Sequence, residues 1–383
     1  MDHHYDIAII GMGCAGSHVV QELIAQKTEL SIVIIDDFKA QSLEKTWSYW
    51  EKGPGKWDHL IAQSWNKGLF KMPHETIELD LDSYLYKTLE SRDFIAFAKA
   101  ELKKASNFTL IEEQVHHVES DKEKGASKCV HVDYTTGTLT ANLVLDSRID
   151  PSFFKDSAVV TLQQHFKGWV IKTESKVFNP EVFTMMDYNL QDTGTTSFTY
   201  VLPYSTNEAL VEFTYFSKDI VANEVYDEFL KTYIKENLQV KHYEITKTEQ
   251  GIIPMSSYRF EQHNKARVYK IGTAGGWVKP STGYSFKMSE KKAAQLVHNI
   301  LHKKPLHHKM NSKRFRFYDD IMLDVLHSDN ARGANVFHIL YKKNSIKNIF
   351  SFLDEETVFK QELGIMFPMT SYAFIKSFFK KLF

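Results

Sequence analysis

The chain is 383 residues long, 25% charged and 43% hydrophobic, which permits a sizeable core and excludes a wholly disordered or membrane-embedded protein. A formal charge of −1 lacks the basic excess that phosphate contacts demand and argues against a nucleic-acid binder. The 17 His residues show no HExxH-like ligand spacing, and Cys14 and Cys129 stand far apart outside any CxxC pattern, so no metal and no disulfide is expected and a reducing, cytoplasmic setting fits.

The chain enters a strand pattern within its first residues, which leaves no room for a signal peptide, and no apolar run approaches a membrane span. The run at 5–10 predicts a strand, and GMGCAG at 11–16 follows it directly, with Gly11, Gly13 and Gly16 in GxGxxG spacing. Cys14 and Ala15 open a helix whose apolar face is Val19, Val20, Leu23 and Ile24. A second strand over 30–36 ends in Asp36, beside Asp37, where a ribose-binding carboxylate belongs in a dinucleotide-binding βαβ unit. Gly11 permits the tight turn, Gly13 lets backbone approach a pyrophosphate, and Gly16 lets helix and strand pack closely. The spacing does not separate FAD from NAD, but one N-terminal copy without a second GxGxxG favours FAD.

An amphipathic helix is expected over 93–107, then strands near 108–112, 128–134 and 143–148 that continue the same sheet. From 160 to 217 the pattern has mainly period two, which predicts an antiparallel sheet forming a roof over a substrate cavity, with a hairpin loop at 203–208. A helix at 221–237 and a strand at 268–272 lead to the loop TAGGWVKPSTGYSF and a helix over 288–303. That loop is a second candidate flavin contact through Gly272, Gly276, Thr282, Gly283 and Tyr284.

In the strand 209–217, period two puts Leu210, Glu212, Thr214 and Phe216 on one face and Val211, Phe213 and Tyr215 on the other. Two readings of Glu212 stand: a solvated or edge carboxylate, or a proton donor whose pKa is raised in a hydrophobic tunnel. Asp187, between Met186 and Tyr188, is a second carboxylate with structural or functional standing. Phe198, Tyr200, Phe213 and Trp277 are candidate tunnel walls able to stabilise cations through ring faces.

The C-terminal region is basic, with 14 Lys+Arg against 8 Asp+Glu over 301–383, and SYAFIKSFFKKLF at 371–383 reads as an amphipathic helix. It suits either docking on a membrane or packing on the body of the protein.

Several segments together resemble the lycopene β-cyclase family of flavoproteins. They are GMGCAG at 11–16, KTWSYW at 45–50, LVLDSR at 143–148, EQGIIPM at 249–255, GGWVKPSTGYSF at 275–286, ARGANVFHILYKK at 331–343 and FSFLDEET at 350–357. The resemblance implies an α/β (α+β) fold: a Rossmann-type FAD-binding domain of the hydroxylase/glutathione-reductase kind, an interleaved antiparallel substrate domain and a helical C-terminal region. The segments are 1–90, 91–150 and 251–303 for the FAD domain, 151–250 for the substrate domain and 304–383 for the helical region.

It also implies FAD active in reduced form, NAD(P)H as reductant, and non-redox cyclisation of lycopene, an acyclic carotenoid. Thr46 and Trp47 join the flavin contacts by the same resemblance. An enzyme on so insoluble a substrate is expected at the membrane surface, peripherally bound. The family's catalytic Glu follows a Leu-Pro in an apolar-Glu-x-Thr strand, as Glu212 follows Leu202 and Pro203. Many relatives keep a second acid next to it; here Phe213 stands there, so Glu212 serves alone or with Asp187. Gly272-Thr273 replaces the Gly-Asp usual in FAD hydroxylases, which lowers the alternative of a monooxygenase or other oxidoreductase on a hydrophobic substrate. A flavin-binding protein without catalysis is the third reading.

Overall fold

The computed structural model describes residues 3–39, 45–121 and 129–382. Its N-terminal sheet has the strand order Phe108–Ile111, Ile32–Ile35, His3–Ile10, Gly137–Asp146, Val130–Tyr134, Val115–Ser120, with Val268–Lys270 also paired to Gly137–Asp146. The first four strands and Val268–Lys270 run parallel, and the other two form an antiparallel meander. Ile32–Ile35 is buried on both faces, as its unbroken aliphatic run requires of a central parallel strand. The helices Cys14–Ala25 and Phe286–Leu301 pack on this sheet through Val19, Leu23, Ala293 and Leu296, all buried.

The roof is a second sheet among the described residues, in the order Tyr243–Ser256, Thr161–Thr173, Glu208–Ser217, Thr196–Pro203, Val182–Asp187, Lys67–Met72, Glu75–Asp80. It is antiparallel except where Val182–Asp187 pairs with Lys67–Met72. Two parts of it go beyond the period-two reading. Residues 67–80 supply two strands from a segment expected to belong to the FAD domain. The long strand Tyr243–Ser256 alternates few apolar residues, so its solvated half hides the strand signal. The helix Asn223–Glu236 covers one face of the roof, with Tyr226, Leu230, Tyr233 and Ile234 buried.

A three-stranded sheet, Thr46–Lys52, Tyr84–Glu90 and Ile61–Trp65, lies in sequence between Ile32–Ile35 and Phe108–Ile111 of the N-terminal sheet and was not marked by the sequence pattern. The C-terminal region is helical, with helices Lys313–Ser328, Gly333–Lys343, Ile346–Leu353, Phe359–Met366 and Tyr372–Leu382. Trp50 stacks on Phe350 at 4.3 Å and donates its indole N–H to Asp354, which ties the small sheet to these helices.

One charged knot fixes the loop that follows Val268–Lys270. Lys279, 3% exposed, donates to Asp319 at 3.0 Å and to Glu355 at 3.1 Å, and Ser281 donates to the other oxygen of Asp319 at 2.6 Å. Backbone bonds from Lys279 to Tyr284 and from Gly283 to Lys279 then close the turn. Removing the lysine strands a buried carboxylate, a loss that costs about 3–5 kcal/mol. Lys279→Met is therefore expected to lower the unfolding free energy by about that amount in urea titrations, and a change below about 1 kcal/mol would contradict this role.

Candidate active site

Two glycine loops meet at the N-terminus of the first helix. Gly11 holds φ +89°, and a Cβ on Gly16 would lie 2.0 Å from the Gly11 carbonyl oxygen, so helix and turn touch there only because Gly16 has no side chain. Gly13 faces open space, the vacancy a phosphate group needs. Gly272, at φ +63°, lies against Ala15. Asp36 caps the loop from the end of Ile32–Ile35, accepting from the backbone of Met12 at 2.5 Å and of Phe38 at 2.6 Å. Asp37 instead accepts from the backbone of Lys39 in an exposed turn. Burial pushes the Cys14 thiol up to about 12, so it is an inert packing group against the helix Phe286–Leu301.

From these loops the chain leads to a cavity of about 450 Å³ beneath the roof. Thr46, Trp47, Thr282, Gly283 and Tyr284 line it. Thr282 Oγ1 and Gln164 Oε1 are buried there without a hydrogen-bond partner among the described residues, and a Cβ on Gly283 (φ +73°) would strike Gln164. Orphaned polar atoms at the wall of a cavity fit the polar edge of a flavin ring.

The carboxylate strand runs as period two requires. Glu212 lines the cavity, 9% exposed, while Phe213 turns to the opposite face and stacks on Phe229 at 4.4 Å. Phe213 is thus no tunnel wall. Trp277 packs under the N-terminal sheet and is not a wall either. Phe198 and Tyr200 do line the cavity.

Asp187 is also outside it. An irregular register between Val182–Asp187 and its neighbours puts both Met185 and Met186 on the cavity and leaves Asp187 to other partners. Its oxygens accept from Tyr233 at 2.7 Å and Asn189 at 2.7 Å, with Lys71 at 3.4 Å. Asp187 is a structural carboxylate.

The acid that does meet Glu212 is Glu249. Across four adjacent strands, Glu249, Gly168, Glu212 and Tyr200 stand in one row. A Cβ on Gly168 would lie 3.2 Å from Glu212 Cβ and 3.3 Å from Glu249 Cγ, so the glycine leaves the gap over which the two side chains approach. The two carboxyls face each other over that gap, and the negative field of Glu249 acts on Glu212. Glu212 also accepts from Thr214 Oγ1 at 2.8 Å, and Glu249 Oε2 accepts from both the backbone and the hydroxyl of Thr46, at 2.9 and 2.7 Å. Sequence reasoning missed Glu249 because most of its strand is exposed. The available signal was a glycine in mid-strand, Gly168, where close approach is expected.

Burial, and next the negative field of Glu249, push Glu212 well above the usual carboxylate range. Burial raises Glu249 as well, against the donors of Thr46 and the field of Lys247. The surroundings of the pair therefore favour the proton on Glu212 over Glu249. Around it, Tyr86 bonds to Tyr200 and, at 3.3 Å, to Tyr284, and Met185, Phe198 and Phe216 complete an apolar wall. Far from the cavity, Asp121, Cys129 and His131 lie within 4.8 Å of one another on the exposed meander and hydrogen-bond among themselves.

The family described as lycopene cyclase protein matches residues 6–378, almost the whole chain. The chain belongs to the lycopene cyclase family. Solved structures similar to this family member include a geranylgeranyl bacteriochlorophyll reductase-like protein from Thermoplasma acidophilum, 14% identical with a TM-score of 0.62, covering 100% of this chain and 97% of that one. A flavoprotein/dehydrogenase from Cytophaga hutchinsonii is 13% identical at a TM-score of 0.61, covering 97% and 98%. A flavin-dependent brominase is 13% identical at 0.55, covering 96% and 93%. At these identities the likeness shows the fold, a Rossmann-type FAD-binding architecture joined to an antiparallel roof. Comparison with curated protein sequences finds no significant match.

A carboxyl kept neutral by the fold has a signature in stability. A folded pKa raised above the unfolded value of about 4.3 supports folding below that value and loses this support as pH climbs toward the folded value. Glu212→Gln removes the loss, so its advantage in thermal midpoint over the parent is expected to widen from about pH 4 to about pH 8. A constant or shrinking difference would contradict a neutral Glu212.

Proposed function

We propose that this protein is a lycopene β-cyclase, converting the ψ ends of lycopene into β-ionone rings by acid catalysis within carotenoid biosynthesis. The observation that carries the reading is a buried carboxyl, Glu212, whose surroundings favour its protonated form and which faces a cavity lined largely by aromatic, aliphatic and thioether groups.

The step assigned to Glu212 is donation of its proton to the terminal double bond, after which the neighbouring double bond attacks the cation and closes the ring. Phe198, Tyr200 and Phe216 present ring faces and hydroxyl-bearing edges that favour a cation over its neutral precursor. Exclusion of water by the same apolar wall keeps the cation from being captured as an alcohol.

Gly11, Gly13, Ala15, Gly16, Asp36, Gly272 and Gly276 would hold the nucleotide end of FAD, and Thr46, Trp47, Gln164, Thr282, Gly283 and Tyr284 its ring end. When bound in its reduced, anionic form, with NAD(P)H as electron source, FAD supplies negative charge that stabilises the cation, and the reaction has no net redox change.

Access to the cavity supports peripheral contact with a membrane. Ile375, Phe378 and Phe379 of the last helix line the cavity and are also 46%, 40% and 54% exposed, so the cavity opens there. Phe367 and Tyr372 add exposed apolar surface, and Lys376 and Lys380 are exposed beside it, a pattern suited to an anionic lipid surface. A polyene too long for the cavity can enter by one end while the remainder stays in lipid. No helix among the described residues is long and apolar enough to cross a membrane.

Purified protein with FAD, NADPH and lycopene in anionic liposomes is expected to yield β-carotene without matching NADPH consumption. Glu212→Gln is expected to lower ring closure by at least about 10²-fold while retaining FAD. Oxygenated product, or an active variant, would overturn the reading. Deleting residues 371–383 is expected to abolish co-flotation with these liposomes, and unchanged flotation would remove the tail from lipid binding.

A further inference from the structure

We propose that Glu249 is the base that takes the proton released at ring closure, and that its position sets which carbon loses it and so which ring isomer forms. The proposal rests on the reading above, because it assigns a residue to the second half of that reaction.

The two acids of the row are not equivalent. Glu249 receives two hydrogen bonds on one oxygen, from the Thr46 backbone and hydroxyl, and both favour a carboxylate. Glu212 receives one, from Thr214. The charged and titratable groups about Glu249 are Glu212, Lys247, Glu90 and Tyr204, and the cation Lys247 is itself paired with Glu90. The environments thus separate the pair into an acid and a base, as in other active sites where two carboxyls meet in unlike surroundings. Both line the same cavity, so both reach the substrate that lies between them.

The steps balance without an oxidant. The O–H bond of Glu212 breaks, and its proton forms a C–H bond with the electron pair of the terminal alkene. The next double bond supplies the pair for the ring bond and leaves a cation on the ring. A C–H bond beside that cation breaks, its electrons become the ring double bond, and its proton passes to Glu249. Between turnovers Glu249 releases this proton to solvent and Glu212 takes one up from solvent, which restores both groups. Since several carbons flank the cation, the one nearest the base decides the position of the double bond. Glu212 adds the proton but, being opposite Tyr200 on the far side of Gly168 from Glu249, addresses a different part of the ring.

The test is product analysis in deuterium oxide with the FAD-loaded protein and its Glu249→Gln, Glu249→Asp and Thr46→Val variants. The parent should place one deuterium per ring. Glu249→Gln should slow ring closure by on the order of 10²-fold and shift the residual product toward isomers with the double bond elsewhere in the ring. Glu249→Asp should recover part of the rate with an altered isomer ratio. A slower Glu249→Gln enzyme with an unchanged isomer ratio marks a merely structural residue and overturns the proposal, as does an unchanged rate. Should Glu249→Gln fail to retain FAD, Thr46→Val decides: a shifted ratio supports the assignment and an unchanged ratio overturns it. A parent that forms no ring defeats the cyclase reading itself, an outcome distinct from these.

Discussion

The site depends on the absence of a side chain at Gly168. Neighbouring strands are about 4.8 Å apart, so residues two strands apart on one face are normally kept from contact by the residue between them. With glycine in the middle position, Glu212 and Glu249 approach over the gap, and the field of Glu249 favours a proton on Glu212. Any Cβ there would press on both, and on Leu210 at 2.9 Å. The glycine weakens its strand, but ladders on both sides, to Glu208–Ser217 and Tyr243–Ser256, hold it in register.

Everything else protects that proton or brings substrate to it. The roof removes water from one side, and the C-terminal helices remove it from the other through Phe352, Leu353 and Ile365. The Lys279 knot fixes the loop from Ser281 to Ser285 at the cavity wall. The glycine loops on the N-terminal sheet stand at the opposite end of this path, where Gly13 leaves space and Asp36 marks the strand end. Function is thus divided between a rigid α/β sheet that presents backbone N–H groups and a roof that presents acids.

How much of this was readable in the sequence follows from where burial is local and where it is tertiary. The βαβ unit was, because GxGxxG sits between an aliphatic strand and an amphipathic helix that carry their own periodicity. Glu212 was, because a charge in a greasy period-two strand is anomalous by itself, and the same periodicity placed Phe213 on the other face. Its assignment as a wall ignored that alternation. Asp187 misled because its apolar neighbours suggest a cavity, while an irregular register gives Met185 and Met186 to the cavity and turns Asp187 to other partners. Glu249 lies in a strand that is mostly solvated and becomes buried only through pairing with residues some eighty positions earlier, which no local pattern encodes. The small sheet over 46–90 mixes aromatic and charged residues and gave no clean period for the same reason.

Burial and the field of Glu249 favour the protonated form of the Glu212 carboxyl. Infrared spectroscopy reads this directly, since a carboxylic acid and a carboxylate absorb in separate regions. The parent minus Glu212→Gln difference spectrum at neutral pH should show a carboxylic acid band that shifts in deuterium oxide. A difference spectrum with only carboxylate bands would mean that Glu212 is ionised and has no proton to give.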